Sequence, residues 1–523
     1  MSEIFHRFAL TTTAHGFGSY VRSESRWKLF WLFAIAGGWL TAVYQVITIS
    51  LQYRKYPTKS LVNQRYEADI PFPAVTVCNL NALKQSSPHF LEVMNVTEIW
   101  KMKVALSDMA HTGAKTAVSV LDFVQQIVAT EIYRREELAS RAGYTVDETI
   151  IECYRAKTKC QPEDIKTWLH TRYGNCFTIL PGNLSSSTGP DQGLRLLMSA
   201  RTDEYVGSLN PSVGMRLEVH PRHTIPFPDD AGVTISPGST TEIPIIYQKM
   251  QRLPLPFDGS DCIDTVGIHK LNPNLTVYHP LGKQILRSFE YTNRACAKAC
   301  IQVALADSCD CVDPTQLKPS LQRLVWNESY EPCMISDPKQ IECSLRSAEK
   351  VRSDRICELL CPPGCDESDY IKLISMFKFP FTRFVHELYI RDFLYRTKMA
   401  RLSGDIEEAA YSEANAKNLM RKYSLKFDQE LFENMIEEKE SAVANITEQV
   451  ETNFVNVLIY FDRFNYLSYV QEEELSAWDF LSSVGGTLGL YSGMSFLTII
   501  ELLYLAYSFL SHFKTNTPVT ISA

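Results

Sequence analysis

Two long apolar runs bracket the 523-residue chain and set its organisation. From Phe480 to Phe513 (FLSSVGGTLGLYSGMSFLTIIELLYLAYSFLSHF), 21 residues pass without a charge before Glu501, and ten more follow before His512. A run of that length predicts a membrane-spanning helix. The other run, Leu29 to Tyr53, has 25 uncharged residues, enough to cross with some tilt. It is too long for the apolar part of a signal peptide, and no clear small-residue cleavage site follows it. The expected layout is therefore an arm over 1–28, a first span over 29–53, a large domain over 54–479, a second span over 480–513 and a tail over 514–523.

Between the spans the period changes several times. Ile70-Pro-Phe-Pro-Ala-Val-Thr-Val-Cys78 reads as a strand entered through prolines. Apolar residues at Val120, Leu121, Val124, Ile127 and Val128 predict peripheral helices within 97–142. Residues 150–290 carry the proline and glycine punctuation of a β region. Residues 380–450 are charged with a helical period, and Asn453–Tyr469 alternates as one long strand leading toward the second span. Ten cysteines lie between Cys262 and Cys365, a segment whose core needs cross-links to be rigid. The fold class expected is a mixed α+β membrane protein with two spans flanking a disulfide-rich domain.

Charge and cysteine usage orient this layout. Glu472, Glu473, Glu474 and Asp479 precede the second span and Lys514 follows it, so the positive-inside rule places both termini in the cytoplasm. All 14 cysteines fall between Cys78 and Cys365, in neither span; an even number in one compartment implies disulfides outside the cell. A zinc site at Cys309-Asp-Cys311 or Cys296-x3-Cys300 is the competing reading and conflicts with that compartment. Five glycosylation sequons, at Asn95, Asn183, Asn274, Asn327 and Asn445, lie in the same segment. A net charge of −8 and the lack of a basic cluster argue against nucleic acid. No phosphate loop, dinucleotide fingerprint, HExxH or catalytic spacing is present, so neither an enzyme nor a metal or cofactor is expected.

Two anomalies in the second span carry the chemistry. A carboxylate at membrane depth costs at least ~2.5 kcal/mol, so Glu501 must face water or a partner. Gly485, Gly486, Gly489 and Gly493 let helices, or copies of one helix, approach closely, and Gly493-Met494-Ser495 can open the helix where it lines a cavity. A water-filled, cation-attracting pore fits both anomalies; a packed anchor helix with one satisfied acid is the plainer alternative.

At this point the chain resembles the epithelial sodium channel/degenerin/acid-sensing channel family, with features of its peptide-gated branch. The resemblance rests on His15-Gly16, Phe72-Pro-Ala-Val-Thr-Val-Cys78, the cysteine block, and Gly485-Gly-Thr-Leu-Gly-Leu-Tyr-Ser-Gly-Met-Ser495 followed by Glu501. It implies a plasma-membrane trimer passing Na⁺ and blocked by amiloride, with a hand-like outer domain of β-ball, palm, finger, thumb and knuckle. It implies Gly493, Met494 and Ser495 as selectivity filter, Glu501 as pore-lining acid, and His15, Gly16, Tyr53, Phe257 and Asp479 as gating positions. It also implies pairs Cys78–Cys176, Cys153–Cys160, Cys262–Cys365, Cys296–Cys361, Cys300–Cys357, Cys309–Cys343 and Cys311–Cys333.

The proton-sensing relatives carry adjacent histidines just outside the first span, where this chain reads Gln52-Tyr-Arg-Lys-Tyr-Pro57. Their absence, with the peptide-gated look of the arm and first span, points to an extracellular ligand, a short peptide. Proton gating, constitutive opening and a non-conducting receptor subunit are the alternatives. A nucleotide-gated two-span trimer shares the topology but not the GxS-Glu motif. The segment from Cys365 to the last strand is longer than in acid-sensing relatives, and its helices around 385–445 are an addition of unassigned role.

Overall fold

The computed structural model describes residues 2–67, 69–94, 120–182, 184–185, 187–206, 210, 212–257, 262–263, 290–316, 330–333, 338–379, 391–423, 425–426, 428–437 and 439–515. Sequons Asn95, Asn183, Asn274 and Asn327 lie outside these residues; Asn445 is exposed on the helix Glu440–Asn453. The chain divides into two compact units. One comprises 1–61, 252–261 and 470–523, the other 62–251 and 262–469.

The larger unit is built on two sheets. One has five strands in the order Val233–Ile235, Met215–His220, Ala74–Asn79, Gly174–Ile179, Ile165–His170. The other runs Thr58–Tyr66, Asn465–Glu473, Ser239–Gln251, Phe454–Phe461, Leu194–Ser199, Ile150–Arg155, Thr158–Lys159, with Asp366–Lys372 and Ser375–Lys378 also pairing with Ser239–Gln251. Their inner faces share one core: Val75, Val77, Phe177, Ile179 and Leu217 from the first meet Leu194, Leu196, Ile243, Ile245, Val457 and Ile459 from the second. The proline-entered strand is central to this core, with Ala74 to Asn79 buried at every position and paired on both edges.

Ser239–Ile245 and Val455–Phe461 pair in parallel, which requires a long crossover between them. That crossover carries the cysteine-rich helices and the added helices. Helix Asn293–Cys309 puts Cys296 and Cys300 one turn apart on a buried face, where they bond to Cys361 and Cys357. The remaining bridges are Cys78–Cys176, Cys153–Cys160, Cys262–Cys365, Cys309–Cys343 and Cys311–Cys333, and no cysteine is free.

The added segment forms four helices, Arg391–Ser403, Ile406–Lys422, Gln429–Ile436 and Glu440–Asn453. They have their own core of Leu394, Met420, Tyr423, Phe432, Met435 and Ile446, which packs against Ile151 and Leu197 of the larger sheet. The Tyr423 hydroxyl donates to Glu152 at 2.8 Å. The helical stretch before Ala142 likewise has a core, of Val128, Ile132, Ala139, Phe90 and Met94.

Two continuous elements expected from the sequence are broken. Asn453–Tyr469 is two strands, Phe454–Phe461 and Asn465–Glu473. Phe461 and Phe464 both enter the core, yet residues three apart in one strand face opposite ways, so the backbone turns at the exposed Asp462-Arg463. The second apolar run is two helices, Ala477–Ser492 and Phe496–Thr515, bent by 72°. The first run is continuous over Ser25–Tyr53 and long and apolar enough to cross a membrane; the bent pair meets the same measure if taken as one span.

Candidate functional site

The bend occurs where the local chemistry cannot continue a helix. Gly493 sits at φ +68°, a left-handed conformation that costs a side chain about 1 kcal/mol or more. Ser495 then caps the next helix: its hydroxyl lies 3.4 Å from the Thr498 N–H, while its own N–H donates to the Thr498 hydroxyl at 3.0 Å. Gly493, Met494 and Ser495 are thus the three linking residues between the helices.

The N-terminal arm is seated on this break. The His15 N–H donates to the Ser492 carbonyl at 3.0 Å, and its ring packs so closely on Gly493 that a Cβ there would lie 2.2 Å from His15 Cγ. Gly16, at φ +89°, starts the helix Phe17–Arg22 and leaves 2.7 Å between a would-be Cβ and Ile35 of the first apolar helix. His15-Gly16 therefore joins the arm to both apolar helices.

Glu501 is held by the same arm. Its Oε2 accepts from the Thr12 hydroxyl at 2.9 Å and from the Thr13 N–H at 3.0 Å. The Thr13 hydroxyl lies 2.6 Å from that of the fully buried Thr498. These partners are separated from Glu501 by almost the whole sequence, and sequence reading missed them. The only signal was three consecutive threonines, Thr11 to Thr13, directly before Ala14-His15-Gly16.

The glycines divide by role. Gly485 and Gly486 have nothing within 4 Å of a would-be Cβ, and Gly489 only the Met494 carbonyl at 3.8 Å. Within one chain the close approach is instead at Gly38 of the first helix, where a Cβ would sit 2.7 Å from the Tyr491 carbonyl. Gln45 donates to the Tyr491 hydroxyl at 3.2 Å.

At the other end of the helices, aromatic rings form a chain. Phe257 meets Tyr56 edge-on at 5.9 Å, Tyr56 meets Tyr53 at 6.1 Å, and Tyr53 stacks on Phe480 at 4.7 Å. The loop bearing Phe257 is tied by the Leu253 N–H to Gln471 at 3.2 Å. Asp479 closes a capping box with Ser476 at the start of its helix, accepting the Ser476 hydroxyl at 2.6 Å.

The larger unit holds the strongly perturbed titratable groups. Glu218 is 2% exposed on Met215–His220; burial pushes its carboxyl up to about 7, although Arg294 and Lys372 oppose this. His220, two residues along the same strand, is pushed down to about 4 by burial. Its Nδ1 faces the Pro221 carbonyl, which only accepts, so Nδ1 carries the proton and Nε2 accepts from Thr76 at 2.9 Å. Burial pushes the nearby Asp229 carboxyl up, but His170 and Lys298 outweigh it and hold that carboxyl well below its ordinary value.

The comparisons agree with one another over nearly all of this chain. The family model described as amiloride-sensitive sodium channel matches residues 8–505. The FMRFamide-activated amiloride-sensitive sodium channel of Cornu aspersum is 22% identical, covering 96% of this chain and 82% of its own length. Acid-sensing ion channel 1 of Gallus gallus is 24% identical (97% and 84%), and the bile acid-sensitive ion channel of Rattus norvegicus 23% (96% and 88%). With the family model running from the N-terminal arm through the first apolar run and into the second as far as residue 505, the chain belongs to the amiloride-sensitive sodium channel family.

Proposed function

We propose that this chain is a subunit of a trimeric plasma-membrane Na⁺ channel whose ion pathway follows the second apolar run, with both termini cytoplasmic and residues 54–479 outside. The observation that carries the reading is the break at Gly493–Ser495 with the N-terminal arm seated on it and Glu501 tied to Thr12 and Thr13. Backbone leaves helical geometry at membrane depth only where it is buried in protein or lines a water-filled cavity. Three copies of Glu501, and the acids Glu472 to Glu474 before the second span, would raise local cation concentration. Size selection falls to the linking residues Gly493, Met494 and Ser495. The threonine contacts give the arm a part in this pathway: they fix the direction of the Glu501 carboxylate.

Gating is assigned to an extracellular ligand, a short peptide, supported by the missing histidine pair at 52–57 and by the FMRFamide-activated relative. The aromatic chain from Phe257 through Tyr56 and Tyr53 to Phe480 supports a route by which movement of the 253–257 loop reaches both apolar helices. The open faces of Gly485 and Gly486 suit the approach of other copies of the same helix.

The test is whole-cell recording with Na⁺/K⁺ exchange, with FMRFamide, acid and amiloride applied in turn. Wild type should pass an amiloride-blocked Na⁺ current. Ser495→Cys should shift the reversal potential, and Glu501→Gln should lower conductance. Thr12→Val should act in the direction of Glu501→Gln, because the carboxylate loses the Thr12 hydroxyl. Identical reversal potentials and conductances in all four would remove residues 493–501 from the ion pathway.

A further inference from the structure

The break between Ala477–Ser492 and Phe496–Thr515 is held from the first apolar helix as well as from the arm. One residue, Tyr491, takes that contact at both of its ends. In an unbroken helix its carbonyl would accept the Ser495 N–H. Here Ser495 gives that N–H to the Thr498 hydroxyl at 3.0 Å, so the Tyr491 carbonyl is released from the helical ladder. It lies against Gly38 of the helix Ser25–Tyr53, where a Cβ would come within 2.7 Å of its oxygen and 3.7 Å of its carbon. A backbone carbonyl cannot swing aside as the end of a flexible side chain can. A side chain at 38 would therefore move the break itself.

The other end of Tyr491 is its hydroxyl, which accepts from Gln45 Nε2 at 3.2 Å. Gln45 is seven residues past Gly38, two helical turns along the same face. Ala42, between them on that face, is fully buried. A pair such as Gly38 and Ala42, small residues four apart, lets two helices approach closely. Gln45 is the single carboxamide among residues 29–51, and an amide in an apolar run calls for a polar partner. Gly37, next in sequence, has the opposite environment: it is exposed, with nothing within 4 Å of a would-be Cβ. The fit belongs to one face of the helix and not to the glycine content of the run.

We propose that Gly38, Gln45 and Tyr491 are positioning residues for ion selection, through which the first apolar helix sets the geometry of the break. Tyr491 is two residues before Gly493, so displacing its carbonyl or its ring displaces Gly493, Met494 and Ser495. Two ties then locate the break: the His15 N–H on the Ser492 carbonyl, and Gly38 against the Tyr491 carbonyl. The inference rests on the ion pathway proposed above and adds to it a part for the first apolar helix.

Whole-cell reversal potentials under Na⁺/K⁺ exchange, with surface expression measured alongside, test this. Loss of folded channel lowers current but leaves the reversal potential where it was, so the readout separates positioning from stability. Gln45→Leu and Tyr491→Phe should each lower the Na⁺/K⁺ permeability ratio, because a looser constriction admits the larger K⁺. The expected fall is roughly threefold, the weight of one interhelical hydrogen bond. The double variant should match either single one, since both remove the same bond. Gly38→Ala should lower the ratio further, or abolish current at wild-type surface expression, and Gly37→Ala should do neither. If Gly38→Ala fails to reach the surface, the Gln45 and Tyr491 variants decide. An unshifted ratio in Gln45→Leu and Tyr491→Phe, additive shifts in their double variant, or a Gly38→Ala channel that behaves as Gly37→Ala would overturn the proposal. Ser495→Cys is the separate control on the pathway. A shift there alone refutes the positioning role and leaves the pathway standing, whereas no shift in any variant removes the pathway too.

Discussion

Replacing Glu218 by Gln tests whether the buried strand Met215–His220 balances two opposed titrations. Holding a carboxyl's titration near 7 in place of 4.5 costs its ionised form roughly 3 kcal/mol. Between pH 4.5 and 7 only the folded chain keeps the Glu218 proton, so this contribution to stability is full below 4.5 and lost as pH rises through 7. His220 runs the other way. Between 6.5 and 4 only the unfolded chain takes up a proton, so stability falls as pH falls through that range. Going from pH 8 to 5.5, Glu218 contributes a gain of roughly 2 kcal/mol and His220 an opposing loss of roughly 1 to 2 kcal/mol. Asp229 beside the pair, held well below its ordinary value, stays ionised throughout. Glu218→Gln removes the first contribution and leaves the second. At pH 8 the variant should melt above wild type, because it no longer buries a carboxylate whose Oε2 has no hydrogen-bond partner among the described residues. By pH 5.5 that lead should shrink by roughly 2 kcal/mol, a few degrees at most in a protein this large. Melting curves of the detergent-purified channel, followed by tryptophan fluorescence at both pH values, read this directly. A lead of the same size at pH 8 and pH 5.5 would refute the burial argument for Glu218.

Further outcomes follow from the same contacts. With no histidine pair at 52–57, a step from pH 7.4 to 6 should evoke little current by itself; a large, fast, desensitising current would place a proton sensor elsewhere. Gly493→Ala should lose current through its collision with the His15 ring, and His15→Ala should partly restore it; failure of that rescue at normal surface expression would mean the pore axis, and not the arm, is the constraint. Asp479→Trp should raise resting current by wedging the helix starts apart, and it also removes the box with Ser476; unchanged resting current would put the gate at another position. Cys300→Ala should lower surface expression, since losing a native disulfide costs ~2–5 kcal/mol; normal expression with a native melting profile would show the cross-link to be dispensable.

The length of the first apolar run, the disulfide framework implied by 14 cysteines and the Gly485–Ser495 motif with Glu501 were legible in the sequence, because each depends on composition or spacing within a short window. Helical character in 391–453 and strand character at Ala74–Asn79 were legible for the same reason: local period survives whatever packs on it. The broken strand was not legible. Asp462-Arg463 is a weak local interruption, and only the demand that Phe461 and Phe464 both enter one core makes the backbone turn there. Glu501 shows the division most plainly. The sequence required that a carboxylate inside a long apolar run find a partner, but any of several hundred residues could have supplied it. The partner is the arm beginning at the far end of the chain, because Gly16 can adopt φ +89° and Gly493 leaves room for an imidazole. Absent side chains at two glycines bring Thr12 and Thr13 to Glu501, and space that side chains leave empty is a property of tertiary packing alone.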